Sequence, residues 1–389
     1  MSERVLVVHN AYQHCGGEDS VVEAEMALLR ARGHAVELFS VHNDSINGMG
    51  RVALAGRTLW SRTATAELDE LITRFSPDVI HVHNTFPLLS PAIYWAASAR
   101  HVPVVQTLHN FRLLCPQAMF LREGRVCEDC LGNLPWRGVA RGCYRGSRAQ
   151  TAVLAGMVSA HRALGTWQNK VTRYIALNAF CRDKFIAGGL PAERVVIKPN
   201  FVDFKPPAAL VREGFLFVGR LSAEKGIQVL VDAAAHVSGA RVAVAGTGPE
   251  AQVLKGASGI DALGALDGEA VRVRMSGAVA LVVPSVWYET FGLVIVEAFA
   301  AGAPVIASRL GVMPNLVEDG VTGLLFEPGN AADLAEKMRW ALAHPEAMAA
   351  MGATARARYE ALYTADRNYA QLTEIYREAI VAAREEGRA

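Results

Sequence analysis

Pro284-Ser285-Val286-Trp287-Tyr288-Glu289-Thr290-Phe291-Gly292-Leu293-Val294-Ile295-Val296-Glu297-Ala298 is the stretch from which the fold can be read. The uncharged run before it, Ala280–Val283, reads as a buried strand, and the apolar residues 291–301 are numerous enough for a helix. A buried strand, a polar loop and an apolar helix in succession form one βα unit of a parallel sheet. Glu289 falls in the loop and Glu297 about one turn into the helix. An acid inside that otherwise apolar helix costs desolvation unless a ligand or partner occupies it. A carboxylate there can accept hydrogen bonds from both hydroxyls of a ribose, with Glu289 nearer the strand end. The plainer alternative is one capping and one salt-bridged glutamate.

Working outward, the same unit recurs. Phe215–Val218, Val242–Ala245, residues 304–307 and Gly323–Phe326 read as further strands with helices between them. The first half carries its own series at residues 4–9, 35–40, 78–83, 102–109, 174–177 and 195–197. Helical spacing fits residues 20–32, 64–75 and 90–99, with Ser90-Pro91 as an N-cap followed by Pro at the first helical position. The two series meet near residues 200–214, where Phe204-Lys205-Pro206-Pro207-Ala208-Ala209 reads as an extended linker. From residue 365 an amphipathic helix rich in Glu and Arg closes the chain. The expectation is α/β, with two Rossmann-like domains of about 180 residues each in a chain of 389. Ligands then belong at the carboxyl ends of the strands.

Composition excludes several classes. Lys and Arg number 39 against 38 Asp and Glu, a net charge of +1, so no global field recruits nucleic acid. The start, Met1-Ser2-Glu3-Arg4-Val5-Leu6-Val7-Val8, enters a strand at once and lacks the pattern of a secretory signal. No run of about 18 or more uncharged apolar residues is present. The expected compartment is the cytoplasm.

Three more signals fall at strand ends. Gly16-Gly17-Glu18-Asp19 lies between the first strand and first helix, where backbone N–H groups and the helix dipole favour an anion; a tight turn is the alternative. Gly219-Arg220-Leu221-Ser222-Ala223-Glu224-Lys225-Gly226 sets two cations in the loop after a strand, able to clamp a diphosphate. Gly246-Thr247-Gly248-Pro249 follows Val242–Ala245 and suggests a backbone turn beside a base or phosphate.

With these segments, Thr107-Leu108-His109-Asn110, Pro199-Asn200 and the Glu289-x7-Glu297 motif, the chain resembles the retaining glycosyltransferases of family 4, of GT-B architecture. The resemblance runs nearly end to end. It implies two domains facing across a cleft: an acceptor-side domain over 1–200 with a Cys-rich insert at 111–148, a nucleotide-sugar domain over 201–368, and a helix at 369–389 returning to the first domain. Arg220 and Lys225 would hold the donor diphosphate, Glu297 the ribose, and Glu289 with the backbone of Phe291, Gly292 and Leu293 the donor sugar and phosphate. Gly16 and Gly17 would close on the diphosphate or sugar from the opposite domain. His109 would contact the sugar near the reacting carbon. Asn200, Gly219, Gly246 and Gly248 complete the donor-binding set.

The resemblance further implies retention of anomeric configuration without a catalytic metal, a UDP- or GDP-sugar donor, a hexose-type sugar, and a glycan or lipid-linked acceptor in cell-surface polysaccharide or glycoconjugate synthesis. One departure stands out. Similar proteins follow Pro-Asn with Gly-Val-Asp, whereas here Phe201 precedes Val202-Asp203, which puts the usual backbone turn in doubt. A non-catalytic nucleotide-sugar-binding protein and a sugar-nucleotide epimerase of similar fold are the competing readings. A nicotinamide dehydrogenase is poorer, since no G-x-G-x-x-G follows the first strand.

Among six cysteines, Cys115, Cys127, Cys130 and Cys143 give the spacing C-x11-C-x2-C-x12-C. The central C-x2-C is a zinc half-site, and four thiolates make a candidate structural zinc site; unligated thiols or a labile disulfide are the alternatives. The insert continues through Arg137, Arg141, Arg145 and Arg148 into an apolar segment from Thr151. That stretch could meet anionic lipid at the inner face of the membrane or a lipid-diphosphate acceptor, or be a solvated face. His81 and His83 alternate on one strand and share a face; they, with His14, stay outside the catalytic set.

Overall fold

The computed structural model describes residues 2–13, 16–204 and 211–386. His14, Cys15 and residues 205–210 of the expected 200–214 linker lie outside the described residues. The chain divides into two compact units, residues 1–118, 128–199 and 368–389 in the first, and 119–127 and 200–367 in the second. The 111–148 insert is therefore shared: residues 119–127 group with the second unit.

The first unit holds a six-stranded sheet of β1 (Arg4–Ala11), β2 (Ala35–His42), β3 (Val79–Asn84), β4 (Val104–Leu108), β5 (Arg173–Ala176) and β6 (Val195–Ile197), in the order β2-β1-β3-β4-β5-β6. All pairs are parallel. Strands 3 and 4 are buried along their whole length, as parallel strands covered on both faces must be. Helix α1 (Gly17–Ala31) packs on the sheet through Val22, Met26 and Leu29.

The second unit repeats the plan with β7 (Phe215–Val218), β8 (Val242–Ala245), β9 (Ile260–Gly264), β10 (Ala280–Val283), β11 (Val305–Ser308) and β12 (Gly323–Phe326). Their order is β9-β8-β7-β10-β11-β12, again all parallel. The strand order reverses between β7 and β10, and in the first unit between β1 and β3. At such a reversal the loops leave to opposite faces and open a crevice for ligands. Helix α2 (Leu293–Ala300) follows β10 and buries Ile295, Val296 and Phe299.

Helix α3 (Ala365–Glu386) returns the chain to the first unit. Leu372, Ile375, Tyr376 and Ala379 join the core made by Val5, Val7, Val79, Val105 and Ile175. Among the described residues no helix is long and apolar enough to cross a membrane.

Several elements differ from the sequence reading. The helix expected at 90–99 begins at Ile93. Ser90 adopts φ 58, and its hydroxyl accepts both from Ala92 N at 3.3 Å, as a local cap does, and from Ser61 N at 2.8 Å. Strand β9 was not expected: it is an edge strand, half exposed along its length, and lacks the apolar run that marks its neighbours. A short hairpin, Leu121–Arg122 with Arg125–Val126, was not expected either. Phe201 is buried on ordinary backbone and its neighbour Val202 donates to the carbonyl of Tyr363 at 3.2 Å, so no glycine turn is needed there.

Candidate functional site

In the second unit the sequence signals meet at the strand-order reversal. Arg220 ends the turn after β7, exposed, and takes no hydrogen-bond or ion-pair partner among the described residues. Lys225 is committed differently: its Nζ lies 2.6 Å from Glu289 Oε1 and 5.3 Å from the centre of the Trp287 ring. The same Oε1 accepts from Ser285 Oγ at 2.8 Å and Trp287 Nε1 at 3.0 Å. Burial alone would raise the Glu289 carboxyl; Lys225 and the three hydrogen bonds outweigh it and hold the group below the usual carboxylate range. All recorded bonds fall on Oε1, which leaves Oε2 to meet a hydroxyl. The sequence reading gave Lys225 and Glu289 separate duties; the fold joins them.

Glu297 sits on α2, half buried and with no recorded hydrogen bond. Burial pushes its carboxyl up to about 7, with Arg272 pulling the other way. Phe291 is buried against the Tyr363 ring, and Gly292 starts α2 at φ 78. No side chain caps α2, so the first-turn N–H groups at Leu293 stay available to an anion. The loops are held together by backbone contacts. Leu221 N donates to Thr247 O at 2.9 Å, Gly219 N to Ala245 O at 3.0 Å and Val286 N to Glu224 O at 2.9 Å. Two glycines make this approach possible: a Cβ on Gly226 would stand 1.9 Å from Pro284 O, and one on Gly246 1.9 Å from Gly219 O. Gly248 approaches Leu221 in the same way. Asn200 is buried with its Oδ1 unpartnered.

The first unit gathers a second set of groups. Gly16 N donates to Asp19 Oδ2 at 2.8 Å, while Asp19 Oδ1 takes His9 Nε2 at 2.8 Å. Asp19 thus ties the start of α1 to the end of β1. Gly17 has open space where a Cβ would stand and no left-handed φ, so nothing in the fold demands a glycine there. Glu18 meets Tyr12 Oη at 3.0 Å and Asn110 Nδ2 at 3.4 Å, and burial pushes its carboxyl up to about 8.

Below this loop lie the histidines. His109, just past β4, is buried; its Nε2 lies 2.9 Å from His83 Nδ1. Burial, then His9 and Lys198, push the His109 imidazole down to about 3, so it is neutral near pH 7. His81 and His83 are lowered as well, burial again leading. Sequence reasoning left out Glu25 and Lys198, which form a buried ion pair at 2.5 Å with side-chain exposures of 2% and 0%. The signal was there: Glu25 interrupts the apolar face of α1 formed by Val21, Val22, Met26 and Leu29.

Glu25, His81 and His83 bring three ligand atoms within 4.8 Å, the spacing of a metal site. Their bonds argue against one. Lys198 Nζ already supplies the cation, and both His81 nitrogens are engaged, Nδ1 by Tyr376 Oη at 2.7 Å and Nε2 by Thr107 Oγ1 at 2.8 Å. Of the four cysteines proposed for zinc, Cys115, Cys130 and Cys143 lie in the first unit and Cys127 in the second. Arg137 and Arg141 both pair with Asp129, and Arg145 lies over the Tyr144 ring. Leu134 and Trp136 beside them are exposed at 60% and 63%.

Comparison with known proteins converges on one family. The family model for glycosyl transferases group 1 matches residues 202–358, and that for glycosyltransferase family 4 matches 15–205. The chain is 34% identical over 292 residues to the sulfoquinovosyl transferase SQD2 of Arabidopsis thaliana, covering 73% of this chain and 54% of that one. It therefore spans about half the length of that relative. It is 34% identical over 321 residues to the D-inositol 3-phosphate glycosyltransferase of Mycobacterium avium (strain 104), covering 78% and 70%. The fold is similar to that of sucrose-phosphate synthase from Thermosynechococcus elongatus, with a TM-score of 0.72 at 20% identity, over 98% of this chain and 100% of that one.

Proposed function

Since the chain belongs to glycosyltransferase family 4, of GT-B fold, we propose that it transfers a hexose-type sugar, with retention, from a UDP- or GDP-sugar to a glycan or lipid-linked acceptor. The observation that carries the reading is the set at the β7/β10 reversal: a free guanidinium, a carboxylate with one oxygen saturated and one open, and a second carboxylate eight residues on. Arg220 takes the diphosphate, where charge grows as the nucleotide leaves. Lys225 reaches the same phosphate from its place beside Glu289. The open Oε2 of Glu289 accepts from a sugar hydroxyl, Glu297 accepts from the ribose, and the uncapped start of α2 faces phosphate. Gly246 and Gly248 shape the turn beside the nucleotide, and Asn200 presents its unpartnered carbonyl oxygen to the same ligand.

The acceptor hydroxyl attacks from the face the nucleotide leaves, and the departing phosphate takes its proton. The protein then supplies orientation and charge stabilisation rather than a strong base. His109, neutral at working pH, acts on the sugar by hydrogen bonding and not as an acid. Gly16 and Gly17, without side chains, let the diphosphate approach the start of α1 closely, with Gly16 N held on Asp19 Oδ2. No catalytic metal is required by these roles.

The test is turnover with a panel of nucleotide sugars, read by release of nucleotide diphosphate, with the anomer formed first read by proton NMR. Release confined to one base, with the donor's anomeric configuration kept, is expected. Inversion would contradict the mechanism, and epimerised donor without transfer would contradict the activity.

Two further parts of the reading concern the insert. Cys115, Cys127, Cys130 and Cys143 hold a structural zinc that orders the insert; metal analysis giving well under one zinc per chain would remove this. Trp136, Leu134 and the arginines at 137, 141, 145 and 148 contact anionic lipid from the cytoplasmic side. Flotation with anionic and neutral liposomes giving equal recovery would remove that contact.

A further inference from the structure

Among the described residues three atoms of the buried histidine cluster lack a hydrogen-bond partner: His9 Nδ1, Glu25 Oε2 and His83 Nε2. His9 already meets Asp19 Oδ1 through Nε2, which leaves Glu25 Oε2 and His83 Nε2 enclosed side by side. They face each other at 3.7 Å, just beyond hydrogen-bond range. Buried polar atoms left unpaired are costly, and two such atoms side by side point to a single bond between them.

The other protons in the cluster are spoken for. His81 is lodged between two hydroxyls, Tyr376 Oη at Nδ1 and Thr107 Oγ1 at Nε2, and whichever ring nitrogen carries the proton of the neutral ring, a hydroxyl takes it. His81 therefore has no proton left for Glu25, from which its Nδ1 stands 3.9 Å away. Lys198 occupies Oε1 of Glu25, and Asp19 takes His9 Nε2. Among the described residues His83 Nε2 is the unpartnered ring nitrogen that stands beside Oε2. Were His83 to carry its proton on Nδ1 instead, a lone pair on Nε2 would face the lone pairs of a buried carboxylate.

We propose that Glu25 and His83 are positioning residues that fix the tautomer of His109. Glu25 Oε2 accepts from His83 Nε2–H; His83 Nδ1 is then an acceptor and takes His109 Nε2–H; His109 Nδ1 is left as a bare lone pair. Lys198 holds the carboxylate in place. His109 then presents an acceptor, not a donor, to whatever meets it. Under the reading above, on which this consequence rests, that partner is a hydroxyl of the sugar. The neutral state of both rings is consistent with this arrangement, since it needs no imidazolium. The charged and titratable groups facing the pair are Lys198, Glu25, Asp19, His9 and His81.

The test reads ring-nitrogen protonation directly, by long-range proton–nitrogen correlation of protein labelled with 15N-histidine, from about pH 6 to about pH 8. The spectra are assigned with His83→Asn and His109→Asn. In the wild type, Nε2 is expected to be protonated and Nδ1 bare in both residues. His109 protonated on Nδ1 would overturn the proposal. Removing one member of the ion pair could simply unfold the protein, so the pair is replaced together. Glu25→Leu/Lys198→Met is expected to lose the single tautomer and to lower kcat about tenfold, the worth of one transition-state hydrogen bond, with donor KM changed by less than about threefold. Glu25→Gln/Lys198→Met keeps an acceptor and is expected to restore the tautomer and part of the lost turnover. An unchanged tautomer in the leucine variant would overturn the proposal. The spectra contain no substrate, so they decide the tautomer whether or not transfer is ever observed.

Discussion

Glu297 and Arg220 make opposite demands on the folded chain, and that difference can be measured. Glu297 ionises near pH 7 in the free protein because burial disfavours its charge. The form that accepts from a ribose is the carboxylate, so binding at low pH must first remove a proton. Between pH 8 and pH 6 the ionised fraction falls from about nine-tenths to about one-tenth, so donor-nucleotide affinity should weaken about ninefold. Titration calorimetry at several pH values reads this, and Glu297→Gln should remove the component that differs from the nucleotide's own ionisation. Equal slopes in wild type and variant would refute the ribose role. Arg220, exposed and without a partner among the described residues, should be replaceable by Ala with stability unchanged to about 0.5 kcal/mol, yet turnover should drop about 10²-fold or more. Lys225→Met should instead cost about 1–3 kcal/mol in chemical unfolding, because it strips a charged partner from buried Glu289. A variant pair that behaved alike would contradict the different placements of these two cations.

At the scale of elements, the glycines separate fold from function. Gly226 has φ 71 and no room for a Cβ beside Pro284 O, so Gly226→Ala should destabilise the second unit by more than about 1 kcal/mol. Gly17 has open space and ordinary backbone, so Gly17→Ala should leave stability within about 0.5 kcal/mol and lower turnover. Denaturant midpoints together with rates distinguish them. The alternation of strands was legible in the sequence because parallel strands buried on both faces are written as apolar runs, as in Val79–Asn84 apart from its histidines. The edge strand β9, Ile260–Gly264, was not legible, because its exposure removes that run. Ser90 misled in position alone: its hydroxyl accepts from Ala92 N as a cap does and is shared with Ser61 N, and the helix begins at Ile93. The two carboxylates and two cations of the donor set could be found from strand-end position alone. Their pairing could not, since Lys225 and Glu289 lie on different loops and meet only through sheet order. The same holds for Glu25 and Lys198, which come from opposite ends of the first unit's sequence.

At the scale of the molecule, each unit sets its polar groups at the point where its strand order reverses: His9 and His83 on β1 and β3 in the first, Arg220 and Glu289 after β7 and β10 in the second. The chain passes to the second unit at Met119 and back at Glu128, then again at Asn200 and back at Asn368, and α3 completes the first core with Leu372 and Tyr376. The proposed nucleoside-diphosphate site at the second unit's reversal is tested by thermal unfolding of the wild type and Arg220→Ala with UDP, GDP, ADP, CDP and TDP. A ligand at about 100 times its Kd stabilises the native state by about 2.7 kcal/mol, a readily measured shift. One diphosphate should raise the wild-type midpoint while Arg220→Ala, equally stable alone, loses most of that rise. If no diphosphate moves either protein, or both move equally, the donor site is not where this account puts it.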